Sequence, residues 1–297
     1  MSIAEFPIIS GCMRMAVLSV NQAEALVLAA LEQGINQFDH ADIYGAGESE
    51  ALFGQVLTRN PGLRDKIFLQ DKCGIRQGCY DFTYDHILSS VDGMLRRLQT
   101  DHLDMLLFHR PDALAEQEEF SRAVQELKAG GKVLSFGVSN MNPMQIELLE
   151  SWCGETLKAN QVQLSLMHAG LVTSGMNVNV PNREGTMYDG SLLPYLQKTG
   201  KTLQAWSPLQ YGMFLGTFLH NPKFPELNKL LDELAETYHT NSSAIAIAWI
   251  LRIPGSIQAI LGTMNTEHLK LACQAAKIHL SHNDWYRLYT ACGYSLP

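Results

Sequence analysis

Apolar and polar positions along the chain alternate between two rhythms. Short apolar runs, bounded by polar or glycine residues, are followed by longer stretches whose apolar residues recur every three or four positions. PIISGCM (7–13) predicts a first strand. QAEALVLAALEQG (22–34) predicts a helix, because Ala23, Val27, Leu28 and Leu31 fall on one face and Gly34 is a stop. A strand over 35–39 and a helix over 48–60, ended by Asn60-Pro61, repeat the pattern. Strands follow at 67–72, 104–109 and 133–139, with helices at 86–98, 119–131 and 142–152. The unbroken apolar run of 104–109 predicts a strand buried on both faces. Pro143 suits a first helical turn. Strands at 159–165 and 202–207 flank a helix over 191–200; helices at 225–238 and 242–252 precede a last strand, 256–262, and its helix, 266–276.

Eight strands, each followed by a helix, predict an α/β protein folded as a parallel (β/α)8 TIM barrel, a single domain over residues 1–297. A doubly wound open sheet would place a G-x-G-x-x-G turn after its first strand; here the first strand runs into GCMRMAVL. The stretch 168–190 is rich in Gly, Asn and Pro without periodicity, and reads as a lid or specificity loop.

Composition narrows the function classes. With 46% hydrophobic and 18% charged residues, the chain can build a large core. A net charge of -8 argues against nucleic acid or an anionic membrane as partner. Six cysteines without a CxxC pair read as reduced thiols. No run approaches the ~18 apolar residues of a membrane span, and MSIAEFPIIS lacks the basic flank of a signal peptide. The expectation is a cytoplasmic protein acting on a small molecule; nothing in the sequence points to an oligomeric state.

The chemistry sits at the strand ends. The last positions of successive strands read Asp39, Lys72, His109, Ser139 with Asn140, Gln161, Trp206 and Gly262. A barrel gathers these ends on its active face. Any one could be an ordinary cap, solvated end or packed histidine, but recurrence at equivalent places favours a site. A metal hydrolase using His40, Asp42 and His109 is disfavoured, since no close HxH pair accompanies them. Asp42 reads as a structural hydrogen-bonding group and His40 as a satisfied packing histidine.

These segments resemble the aldo-keto reductase superfamily, and within it the bacterial YdhF-like oxidoreductases. FDHADIYG (38–45) is similar to the family's D-T-A-x-x-Y-G segment, IFLQDKCG (67–74) to the strand ending in its lysine, and DMLLFHRPD (104–112) to the strand ending in its histidine. GKVLSFGVSNM (131–141), LQAWSPL (203–209) and ILGTMNTEHL (260–269) match three further segments. Leu134 stands where a basic residue is frequent, and the family's N-terminal hairpin is expected to be short or absent.

The resemblance implies an NADP-dependent oxidoreductase that reduces aldehydes or ketones. Tyr44 would be the general acid, Lys72 its perturber, Asp39 the partner of Lys72, and His109 the donor that polarises the carbonyl. A tyrosine with its usual pKa of ~10 is a poor acid near neutrality, so the lysine is expected to bring that value down. The resemblance implies that Ser139, Asn140 and Gln161 bind the nicotinamide carboxamide and Trp206 stacks on the ring. Ser207, Pro208, Leu209, Gly212 and Met213 would follow the pyrophosphate; Gly262, Thr263, Met264, Asn265 and His268 would receive the 2′-phosphate at a helix start. The usual arginine or lysine is missing from that last segment, so NADP(H) is favoured by a reduced margin and NAD(H) remains possible. A cofactor-binding regulatory subunit on the same fold, with slow turnover, is the alternative.

Overall fold

The computed structural model describes residues 6–177, 189–212 and 215–296. Among them, eight strands form the parallel ring that the periodicity predicts. They are β1 (Ile8–Gly11), β2 (Gln37–Asp39), β3 (Phe68–Cys73), β4 (Met105–Phe108), β5 (Phe136–Ser139), β6 (Leu157–Gln163), β7 (Thr202–Trp206) and β8 (Ile257–Leu261). Their hydrogen-bonded order closes into a barrel in which sequential strands are neighbours, the (β/α)8 TIM barrel. No helix among the described residues is long and apolar enough to cross a membrane.

By contacts the chain divides into two compact units. The first comprises Met1–Gln161 with Gly262–Thr266. Its registers put Gly11 opposite Asp39, Asp39 opposite Gln70, Lys72 opposite Leu107, and Ser139 opposite Gln161. Strand residues alternate faces, so Asp39 and Lys72 share one side with Gln37 and Gln70. His40 and Asp71 fall on the other. The outer helices close over the strands through apolar stripes. Val20–Glu32 and Pro143–Cys153 begin with reciprocal caps, Ser19 with Gln22 and Asn142 with Gln145. Glu48–Arg59 and Tyr84–Leu98 approach closely at Gly54, where any Cβ would run into the Arg97 carbonyl. Phe108 of β4 packs on Phe120 with ring centroids 4.6 Å apart, and Phe82 and Phe136 extend the cluster. Burying a side chain of this size contributes about 1.5–3 kcal/mol.

The second unit comprises Val162–Leu261 with Glu267–Pro297. Its helix Ser242–Leu251 is apolar on every side and buried. Trp249 stacks on Trp285 at 4.8 Å, and each indole N–H donates to the other's carbonyl.

Three elements escaped the periodicity. Ile75–Arg76 and Cys79–Tyr80 pair as a short antiparallel ribbon too brief for a pattern. Gly170–Met176, inside the expected loop, is helical for seven residues; the remainder at 178–188 lies outside the described residues. His282–Ala291 is a last helix. Its signals are Ser281, which caps it, and Trp285, Leu288 and Tyr289 at helical spacing.

Candidate active site

The first unit brings Asp39, Tyr44, Lys72 and His109 together. Asp39 ends β2 and Lys72 lies one residue before the end of β3, both buried. The Lys72 ammonium donates to both Asp39 oxygens at 2.7 Å. Burial alone pushes an ammonium toward neutrality, but here the Asp39 carboxylate outweighs it, and the Lys72 pKa is raised. Lys72 is therefore a permanent cation. Two neutral amides complete the shell of Asp39: Gln70 Nε2 donates to Oδ1 at 2.5 Å and Gln161 Nε2 to the same oxygen at 2.9 Å.

Tyr44 is held by the turn after β2. Gly45, Ala46 and Gly47 all have positive φ, at 58°, 54° and 92°, which reverses the chain directly behind the tyrosine. A Cβ at Gly45 would come within 2.8 Å of the Ala16 methyl group. The Lys72 Nζ lies 5.0 Å from the Tyr44 ring centroid. His109 follows β4 directly, its ring edge-on to Tyr44 at 6.4 Å.

The protonation states correct one expectation. Burial pushes the Tyr44 hydroxyl up to about 12, and the opposing pull of Lys72 does not overcome it. The lysine limits that rise without bringing the phenol's pKa below its ordinary value. Tyr44 is a neutral, proton-bearing phenol at any physiological pH. His109 is held well below the usual imidazole range by burial, then by Lys72 and Arg110. It is a neutral imidazole whose buried Nδ1 has no hydrogen-bond partner among the described residues.

Ser139, Asn140 and Gln161 also converge. The Ser139 hydroxyl donates to the Gln161 carbonyl at 2.9 Å, and Asn140 Nδ2 donates to Ser139 Oγ at 2.7 Å. Asn140 adopts φ 60°, a left-handed conformation that asparagine tolerates, and its backbone N–H donates to the Gln161 carbonyl. Two amides and a hydroxyl in one cluster offer the mixed donors and acceptors that a primary carboxamide requires. The donor set fits a nicotinamide at its carboxamide end. Gly262 and Thr263–Asn265 belong to this unit as well. Arg14 donates to the Gly262 carbonyl at 2.9 Å, which sets a guanidinium beside a segment without its own basic residue.

In the second unit, Trp206 ends β7 half-buried, and Ser207 follows with φ 52°. Pro208 is buried and Leu209 half-buried, and the Leu209 carbonyl accepts from Phe218 N–H. Gly212 is close to the Leu215 side chain, 2.7 Å from where a Cβ would lie. Met213 lies outside the described residues. His268 is exposed on the helix Thr266–Cys273, and Lys270 on the same helix pairs with Glu267.

The opposite face of β2 and β3 carries a second polar group that the sequence reading did not connect. Glu50 is buried and forms an ion pair with Arg97 at 2.7 Å. Burial and then Glu50 push the Asp71 carboxyl well up, and the same two causes raise Asp42 to about 6. Asp42 Oδ1 lacks a partner among the described residues, although Ser90 and the Ile43 backbone hold the group in place. His40 departs from expectation. It is fully buried edge-on to Phe53, neither ring nitrogen has a partner among the described residues, and burial lowers its pKa to about 3. It is a packed histidine but not a satisfied one. Among the described residues no group of three His, Cys, Asp or Glu side chains is placed to hold a metal ion.

The model of the Aldo/keto reductase family matches residues 7–291. The chain is 37% identical over 277 residues to a 6-dehydroglucose reductase of Agrobacterium fabrum, covering 90% of this chain and 86% of that protein. It is 34% identical to the oxidoreductase YdhF of Escherichia coli, covering 94% and 91%. The crystal structure of an aldo-keto reductase from Klebsiella pneumoniae in complex with NADPH superposes with a TM-score of 0.75 at 25% identity, covering 98% and 92%. A family match over nearly the whole chain, on a barrel whose strand ends carry Asp39, Lys72 and His109 beside Tyr44, shows that this protein belongs to the aldo/keto reductase family.

Proposed function

We propose that this oxidoreductase reduces an aldehyde or ketone on a small molecule to the alcohol, with NADPH as preferred hydride source, NADH as the weaker one, and Tyr44 as proton donor. The observation that carries this reading is the Tyr44–Lys72–Asp39 arrangement: a neutral phenol beside a buried cation that cannot lose its charge. A bound nicotinamide would supply hydride to the carbonyl carbon. Tyr44 would give its hydroxyl proton to the carbonyl oxygen, so one hydride and one proton would account for the two-electron reduction. The tyrosinate left behind is stabilised by the Lys72 ammonium, and Asp39 keeps that ammonium in place. His109, neutral, donates a hydrogen bond to the carbonyl oxygen and so favours the charge that builds there.

Ser139, Asn140 and Gln161 would hold the carboxamide and so orient the ring. Trp206 would cover the ring, with Ser207, Pro208, Leu209, Gly212 and Met213 along the pyrophosphate. Thr263, Met264, Asn265 and His268 would meet the adenosine end after Gly262. None of these is an arginine or lysine. Hydrogen bonds to charged groups contribute about 1.5–3 kcal/mol, and a difference of about 1.4 kcal/mol is tenfold in affinity. The preference for NADPH is accordingly smaller than an arginine within that segment would give.

The test follows nicotinamide absorbance with each cofactor and a panel of aldehydes, ketoacids, quinones and 6-dehydroglucose, the last taken from the relative's name. The reading expects oxidation of cofactor matched one to one by alcohol formed, faster with NADPH. Failure of every carbonyl to oxidise either cofactor would refute it.

A further inference from the structure

One layer of buried amides lies beneath the Asp39–Lys72 pair and serves no step described so far. Gln37 and Gln70 are fully buried, two residues before Asp39 on β2 and before Lys72 on β3, on the same face of the sheet. Gln37 Nε2 donates to Gln70 Oε1 at 3.1 Å, and Gln70 Nε2 donates to Asp39 Oδ1 at 2.5 Å. Oδ1 also receives Gln161 Nε2 and the Lys72 ammonium, so three donors converge on one oxygen.

The chain of donors has a direction. Gln70 must turn its NH2 to the carboxylate, because its carbonyl is taken by Gln37. Reversing the amide would set a carbonyl oxygen against the carboxylate and an NH2 against an NH2. Both contacts are repulsive, and buried polar groups left unmatched are costly. A carboxylate held by Lys72 alone could still rotate about its Cβ–Cγ bond and carry the ammonium with it. With neutral donors fixing Oδ1 from β3 and β6, the carboxylate plane is set, and Lys72 is set by the carboxylate.

We infer that Gln70, oriented by Gln37, is a positioning residue for proton delivery from Tyr44: it fixes Asp39, which fixes Lys72, which stabilises the tyrosinate. In this inference Gln70 acts on the phenol through Asp39 and Lys72. The inference rests on the reading above in which Tyr44 is the acid. Small displacements at such a site cost large factors in rate, because the ammonium must already be in place when the phenolate forms.

The test compares Gln70→Met and Gln37→Met, which keep volume and remove both polar ends, their double variant, and Tyr44→Phe. The readouts are kcat and KM for a good carbonyl substrate, the solvent deuterium isotope effect on kcat, the NADPH dissociation constant by fluorescence, and the melting temperature. Gln70→Met should lower kcat about tenfold, which is about 1.4 kcal/mol, with a larger solvent isotope effect. Its KM and NADPH affinity should stay within about twofold, by the same conversion under about 0.4 kcal/mol. Gln37→Met should lower kcat about threefold. In the double variant the loss should equal that of Gln70→Met alone, if Gln37 acts on proton delivery through Gln70 as inferred. A structural role would instead lower melting temperatures without moving the isotope effect, and the two losses would multiply.

A Gln70→Met kcat within twofold of the unaltered protein, or multiplying losses in the double variant, overturns the inference. If Gln70→Met does not fold, Gln37→Met decides by the same criteria: a threefold loss with a larger isotope effect supports it, and an unchanged kcat overturns it. Tyr44→Phe separates the two levels. If it keeps turnover, the acid assignment itself is wrong. If it is inactive while Gln70→Met is normal, only the positioning role is lost.

Discussion

Alternate residues of the same two strands lead into two very different polar regions. On the inner face, Asp39, Lys72, Gln70 and Gln37 form a network in which one negative charge meets one positive charge and neutral amides fill the remaining valences. On the outer face, Asp42, Asp71 and Glu50 act on the Arg97 guanidinium, with His40 in the same layer, and several atoms of the group find no partner among the described residues. The difference shows what buried charge costs. Paired and hydrogen-bonded, the inner network holds Lys72 as a cation, as a proton-delivery site would require. Unbalanced, the outer group holds protons that solution chemistry would release, and refuses one that it would accept.

The comparison can be broken from either side. The largest effect is expected from Lys72→Met. It leaves the Asp39 carboxylate buried without its cation, so stability should fall by about 3–5 kcal/mol in chemical denaturation. Turnover should be lost together with it. A folded, active Lys72→Met protein would show that the inner pair is ornamental.

The outer region should instead govern how stability depends on pH. His40 has a folded pKa of about 3 against 6.5 for an ordinary histidine. Its contribution is present above about pH 6.5 and is lost as pH falls toward 3. At pH 5 the loss is about 2 kcal/mol. His40→Leu should remove that acid dependence, which denaturant titrations at pH 7 and 5 would resolve. Asp42 runs the other way. Its folded pKa is about 6 against 3.8, so its contribution is complete below 3.8 and lost as pH rises through 6. Asp42→Asn should stabilise the protein at pH 8 by about 1.5 kcal/mol and leave it unchanged near pH 4. That figure is about half of what the shift converts to, because the side chain is partly open to solvent. An identical pH dependence in both variants and the parent would mean that the outer group does not titrate as its burial implies. The smallest effect is optical: binding of NADPH should quench part of the tryptophan fluorescence, and Trp206→Ala should remove that part.

All eight barrel strands were legible in the sequence, because apolar runs bounded by glycine and polar ends are set by burial on both faces. That Asp39, Tyr44, Lys72 and His109 would lie close together was legible too, from the strand ends and from the resemblance of the surrounding segments. Three things were not. Gln70 was hidden because a glutamine inside an apolar strand carries no motif, although its position two residues before Lys72 marks it as inward-facing. The ion pair of Glu50 with Arg97 spans two helices and has no sequence signal. The protonation of Tyr44 depends on how completely burial opposes the pull of Lys72, a balance of two large opposing effects that spacing cannot weigh.

The most direct test of the account is Tyr44→Phe, which removes one hydroxyl and keeps the ring. Rates of hydride transfer in a single turnover should fall by about 10²–10⁴, the range for loss of a general acid, while the NADPH dissociation constant stays within about twofold of the parent. An ultraviolet titration of the parent against this variant should place the missing phenol near 12. Near-normal single-turnover rates in Tyr44→Phe would contradict the assignment of the proton donor and, with it, the purpose given to the whole inner network.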